Sequence, residues 1–102
     1  MGRVSSTAAS TLGTGVTNPT LSTETVTADT EYTITLPLGT RKFYIKHRTS
    51  GKFEVRYIES STEYFSNKGG NIFTRDNLAP TTQHTLYITP KKSGVLEIES
   101  WA

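Results

Sequence analysis

The sequence predicts an all-β fold: an antiparallel β-sandwich or jelly-roll-like barrel of seven to eight short strands, with an extended N-terminal arm. Three observations carry that prediction. The chain of 102 residues holds 19 Thr and 10 Ser; Thr is a β-branched strand former and Ser favours turns. Apolar residues alternate with polar ones at a period of two, and no window carries the apolar stripe of about 3.6-residue period that a surface helix needs. Turn signals recur at the roughly 8–12-residue spacing of short antiparallel strands.

Residues 1–20 (MGRVSSTAASTLGTGVTNPT) are small and hydroxyl-rich, and beyond Met1 their only larger apolar residues are Val4, Leu12 and Val16. Such a segment cannot bury enough surface to offset its ordering entropy alone. It reads either as a frayed tail or as an arm ordered against a neighbouring subunit, with Val4, Leu12 and Val16 as anchors. Residues 21–102 form the predicted sandwich domain.

Within that domain Thr23, Thr25 and Thr27 alternate with Glu24, Val26 and Ala28 in a first strand, and Asp29-Thr30 is a turn. Tyr32, Ile34 and Leu36 alternate with Thr33 and Thr35, and Pro37 to Thr40 breaks the pattern. From Arg41 to Arg48, Phe43, Ile45 and His47 share one face and Tyr44, Lys46 and Arg48 the other. Ser50-Gly51 predicts a tight hairpin, with Phe53, Val55 and Tyr57 returning inward, and with Glu54 and Arg56 outward. In that hairpin Lys46 and Arg48 come near Glu54 across the strands.

Glu59 to Ser66 reads as strand or aromatic-packed loop, Asn67 to Asn71 as a turn, and Ile72 to Arg75 as a short strand. After turn chemistry at Asp76-Asn77 and Ala79-Pro80, His84 to Thr89 is a strand with His84, Leu86 and Ile88 on one face. Pro90 to Gly94 is the last turn. Val95 to Trp101 then places Leu96 and Ile98 inward, Glu97 and Glu99 outward.

A chain this long makes one domain with a thin core. Its formal charge of +2 is too balanced to point to nucleic acid. With no cysteine, disulfides, thiolate metal sites and Cys nucleophiles are excluded. No run of ~18 apolar residues offers a membrane span, and Met1 to Ser10 lacks the apolar centre of a secretory signal.

The residues that bear chemistry are few. His47 and His84, the available bases, both fall on inward strand positions, where a histidine is more often packed than catalytic. Glu97 and Glu99 share a strand face, the spacing of an exposed polar face rather than of a glycosidase pair. Gly69-Gly70 has no helix after it to cradle a phosphate, and Asp76-Asn77 lacks alternating calcium ligands. No catalytic residue, cofactor or metal site is therefore expected.

One constellation stands out. Tyr44, Lys46, Arg48 and Arg56 are placed to share a solvent face, a basic and aromatic surface suited to a protein partner or, interrupted by Glu54, less well to single-stranded nucleic acid. Trp101, the only Trp, stands one residue from the end of the chain. It either caps the core or docks on a partner. The candidate interface residues are thus Val4, Leu12, Val16, Tyr44, Lys46, Arg48, Arg56 and Trp101.

The start STAASTLGTGVTNPTLSTETVTADTEYTITLP, the centre RKFYIKHRTSGKFEVRY and the ending LYITPKKSGVLEIESWA together resemble small β-sandwich virion proteins of tailed bacteriophages, of the head decoration or cement type. Neck and tail-associated proteins share this style of sequence. The resemblance implies a non-enzymatic homo-oligomeric part of the virion, bound to the major capsid protein or another virion protein and stabilising the head through multivalent contacts. A carbohydrate- or receptor-binding module on the same fold is the rival expectation, with Tyr32, Tyr44, Tyr57, Tyr64, Tyr87 and Trp101 as its aromatic candidates.

Overall fold

The computed structural model describes residues 19–102. Val4, Leu12 and Val16, and all but the end of the expected arm, lie outside the described residues. Eight strands follow in chain order: β1 (Thr20–Val26), β2 (Tyr32–Thr35), β3 (Lys42–His47), β4 (Phe53–Arg56), β5 (Phe65–Asn67), β6 (Phe73–Arg75), β7 (Thr85–Pro90) and β8 (Gly94–Trp101). They form two four-stranded antiparallel sheets, β1-β8-β3-β6 and β2-β7-β4-β5.

The pairings are nested. β1 pairs with β8, β2 with β7, β3 with β6, and β4 with β5, as though the chain were one long hairpin folded at the β4–β5 loop. The further pairings β3–β8 and β4–β7 roll that hairpin into a sandwich. This is the eight-stranded jelly-roll connectivity. Only β4 and β5 are joined within one sheet; every other connection crosses between the sheets.

The alternation read from the sequence fixes the core. Val26, Ile34, Leu36, Phe43, Ile45, Phe53, Val55, Phe73, Leu86, Ile88, Leu96 and Ile98 are buried between the sheets, with Tyr32 and Leu78 packed against them. Phe43 and Phe73 meet with ring centroids 5.9 Å apart, within the range of favourable aromatic pairs.

Three expectations are corrected. Ser50-Gly51 is not a β3–β4 hairpin, because β3 lies in the first sheet and β4 in the second. Period-two patterning states which side chains face inward but not which strand is the neighbour. Lys46 and Arg48 consequently never approach Glu54, and both pair with Glu97 instead. Tyr57 falls beyond the end of β4 and is 57% exposed. Glu54 points away from the core as expected, yet is only 7% exposed. The side chain of Arg56 lies against it at 3.0 Å, and Lys91 Nζ approaches its other oxygen at 3.8 Å.

The turns at one end of the sandwich are fitted around His47. Its Nδ1 accepts the Thr49 N–H at 3.2 Å, which leaves Nε2 to donate to the Lys92 carbonyl at 3.0 Å. The ring thereby ties the β3–β4 connection to the β7–β8 turn.

Candidate functional site

The outward face of the first sheet is built by register. On β8, Leu96, Ile98 and Ser100 are buried, so Val95, Glu97, Glu99 and Trp101 face solvent. Their partners share that face: Leu21 and Tyr44 flank Glu99, while Thr23 and Lys46 flank Glu97. Ile72, just before β6, completes the second row. All of these side chains but Val95 line a groove of about 550 Å³.

The groove is apolar at its rim and ionic along its centre. Leu21 is 71% exposed and Ile72 54%. Between them lies Glu97, whose Oε2 accepts from Arg48 Nε at 2.8 Å and whose Oε1 lies 3.5 Å from Lys46 Nζ. Trp101 Nε1 donates to Glu99 Oε1 at 3.0 Å, and Lys42 Nζ sits 5.0 Å from the centre of the Trp ring. Trp101 thus lies across the sheet surface, half-buried, rather than in the core between the sheets.

The Arg48 hydrogen bond, reinforced by the charges of Arg48 and Lys46, holds the Glu97 carboxyl below its usual range against the pull of desolvation. A carboxyl lowered by folding adds stability above its unfolded value, and that contribution is lost as pH falls through the folded value. The Glu97 contribution is therefore present at neutral pH and fades on acidification. In Arg48→Gln the titration midpoint of the Glu97 carboxyl carbon, followed by NMR, should move upward. A midpoint that stays put would show that Arg48 is not its main partner.

Tyr44, Lys46, Arg48 and Trp101 are thus brought onto one face, and Arg56 is not. Arg56 belongs to the other sheet, where Nε donates to the Ser61 carbonyl at 2.6 Å, Nη1 to Thr89 Oγ1 at 3.2 Å and Nη2 to Glu54. It anchors the 57–64 connection rather than a docking face. Leu21 and Ile72 escaped the sequence reading. Leu21 could have been found by extending the Thr23–Thr25 alternation one step back, because it falls on the same face; Ile72 looked like the start of a strand.

The remaining chemical candidates are already engaged. His47 is buried and uses both ring nitrogens. His84, just before β7, has Nε2 3.0 Å from the Ala79 carbonyl. Glu97 and Glu99 share the groove, but one holds two cations and the other accepts from Trp101. Among the described residues no three His, Cys, Asp or Glu side chains cluster as metal ligands would. Searches against protein-family models, curated proteins and solved structures find no match to this chain.

A second aromatic cluster, half-exposed at Phe65 and buried at Phe73, lies between β5 and β6. Phe65 is half-exposed, and Arg75 stacks over both Phe65 and Phe73 at 5.2 and 4.4 Å. Arg–aromatic stacking here closes the open end of the core.

Proposed function

We propose that this chain is a non-enzymatic assembly protein, a virion structural protein of the head decoration kind, that docks through the outward face of its β1-β8-β3-β6 sheet. One observation carries the reading. Leu21, Tyr44, Ile72 and Trp101 frame a groove whose charged residues satisfy one another within the sheet. A partner that covers it buries aromatic and aliphatic surface without stranding a carboxylate. Aromatic anchors within a polar surround are the composition of protein interfaces. The partner of this reading is the shell protein or another virion protein, and many weak copies acting together supply the stabilisation.

The test is cosedimentation of the full-length chain with empty heads assembled from the shell protein that this reading makes its partner. The chain should pellet with the heads to saturation. Ile72→Lys, which places a charge in the exposed rim without touching the core, should weaken that binding by about tenfold or more, a loss of ~1.4 kcal/mol. A wild-type chain that stays in the supernatant overturns the reading.

A carbohydrate-binding module is the second reading, since Tyr44 and Trp101 line the same groove beside Glu97 and Glu99. It is weakened by Lys42, which occupies one face of the Trp101 ring, and by the indole N–H already given to Glu99. Glycan-array binding that disappears in Trp101→Ala would favour it over the first.

A further inference from the structure

β1 is the edge of its sheet, and among the described residues only β8 pairs with it. Which of its backbone groups face outward follows from the neighbouring strands. The Arg48 N–H donates to the Val95 carbonyl at 2.8 Å, so Val95, Glu97 and Glu99 direct their backbone groups at β3. The alternate residues Leu96, Ile98 and Ser100 direct theirs at Glu24, Ser22 and Thr20 of β1. Leu21, Thr23 and Thr25 are left with N–H and C=O aimed away from the sheet.

Edges of this kind are ordinarily blunted by Lys, Pro, a bulge or very short length. β1 has no Lys, Pro or bulge, and of the edge-blunting devices it carries only the charge of Glu24, half-buried on the face it shares with Val26; its seven residues, TLSTETV, run in unbroken register with β8. The strand is also self-complementary. With a two-fold axis through Thr23, Thr23 exchanges both backbone hydrogen bonds with its copy, and Leu21 does so with Thr25 of the second chain. Thr23 then packs on Thr23, a favourable cross-strand pair. Ser22 falls opposite Glu24, hydroxyl to carboxylate. Sliding the register one way sets Thr25 against Pro19, which has no N–H. Sliding it the other way opposes the two Glu24 carboxylates and sets Leu21 against Thr27, whose N–H already donates to the Tyr32 hydroxyl at 2.8 Å.

We propose that the β1 edge is a homotypic interface: β1 of a second copy adds antiparallel about a two-fold axis at Thr23, joining the two β1-β8-β3-β6 sheets into one continuous sheet. This names the self-contact of the assembly protein proposed above, and concerns the backbone edge of β1, whose Leu21 and Thr23 side chains also line the docking groove.

Sedimentation velocity of the full-length chain over a range of concentrations tests it. The wild type should form a dimer. Thr23→Pro removes an outward N–H and no bond to β8, so it should abolish the dimer while the far-UV spectrum and melting transition stay folded. Thr23→Lys, which opposes two cations across the axis, should do the same. Because the chain has no other thiol, Thr23→Cys should cross-link into a covalent dimer with a short bifunctional maleimide, and Lys52→Cys should not. A monomer at all concentrations, a Thr23→Pro chain with wild-type mass, or an oligomer that Thr23→Cys fails to cross-link each overturns the proposal. The last result would point to the N-terminal segment as the strand that pairs with β1. Ile72→Lys keeps the dimer, so loss of head binding and loss of self-association are read separately.

Discussion

Arg56→Met should destabilise the domain by about 3–5 kcal/mol, the usual consequence of stripping the partner from a buried charge. Glu54 lies on the central strand β4, buried, with Arg56 Nη2 at 3.0 Å. Without the guanidinium its remaining cation is Lys91, at 3.8 Å and itself shared with Asp29 at 2.9 Å. Met restores much of the volume and none of the charge. The same change releases the Ser61 carbonyl and the ring of Tyr64, over which the guanidinium sits at 4.6 Å. At ~4–8 °C per kcal/mol for a domain of this size, thermal denaturation should show a fall of more than about 12 °C. The double variant Glu54→Leu/Arg56→Met removes both charges and should recover most of that loss. If the double variant is no more stable than Arg56→Met, the cost lies in packing or in the 57–64 connection rather than in the stranded carboxylate.

The second large effect is at the turns around His47. A Cβ on Gly51 would stand 2.8 Å from His47 Cδ2 and 2.9 Å from Nε2. The ring cannot retreat, because Lys92 and Thr49 hold its two nitrogens and Gly94 closes the other side, where a Cβ would stand 2.7 Å from Cε1. Gly51→Ala should therefore cost about 1–3 kcal/mol by overpacking. Most of that cost should vanish when measured against a His47→Ala background, since the two sites are in contact and do not add. Gly69 supplies the contrast. A Cβ there would come within 2.4 Å of the Ser50 carbonyl oxygen, which is backbone. Gly69→Ala should cost about 3 kcal/mol or more, and no side-chain truncation should relieve it. Chemical denaturation of Gly51→Ala and Gly69→Ala, each in the wild-type and the His47→Ala background, distinguishes the two cases; equal rescue of both by His47→Ala would show that the clash at Gly69 is not with Ser50.

These two sites also show where the sequence was legible and where it was not. Inward positions such as Phe43, Ile45, Phe53 and Leu96 could be read directly, because alternation is a local property of a half-buried strand. The partner of each strand could not. Ser50-Gly51 has hairpin chemistry, yet the ring of His47 packed against Gly51 belongs to a turn that crosses between sheets. Once β3 and β4 part company, the ion pairs reassign themselves: Lys46 and Arg48 to Glu97, Glu54 to Arg56. For the candidate face, Tyr44, Lys46 and Arg48 could be grouped because they alternate on one strand. Leu21 and Ile72 join them only through the long-range pairing of β1 with β8 and of β3 with β6. Arg56 shares their face only if β3 and β4 form a hairpin, and they lie in different sheets.

The nested pairing has a consequence for how the protein is made. β8 is the last of the eight strands in chain order and occupies the middle of its sheet, between β1 and β3. Until β8 has emerged, β1 lacks the one strand that pairs with it among the described residues. At ~5–20 residues per second, the interval between the synthesis of β1 and that of β8 is on the order of several seconds. Throughout it the strand TLSTETV waits for β8, its pairing strand among the described residues. Nascent chains on adjacent ribosomes of one message carry the same strand in the same state. The edge proposed to join finished copies would therefore be presented before either copy has folded, and β1 strands would be able to meet during translation rather than after it.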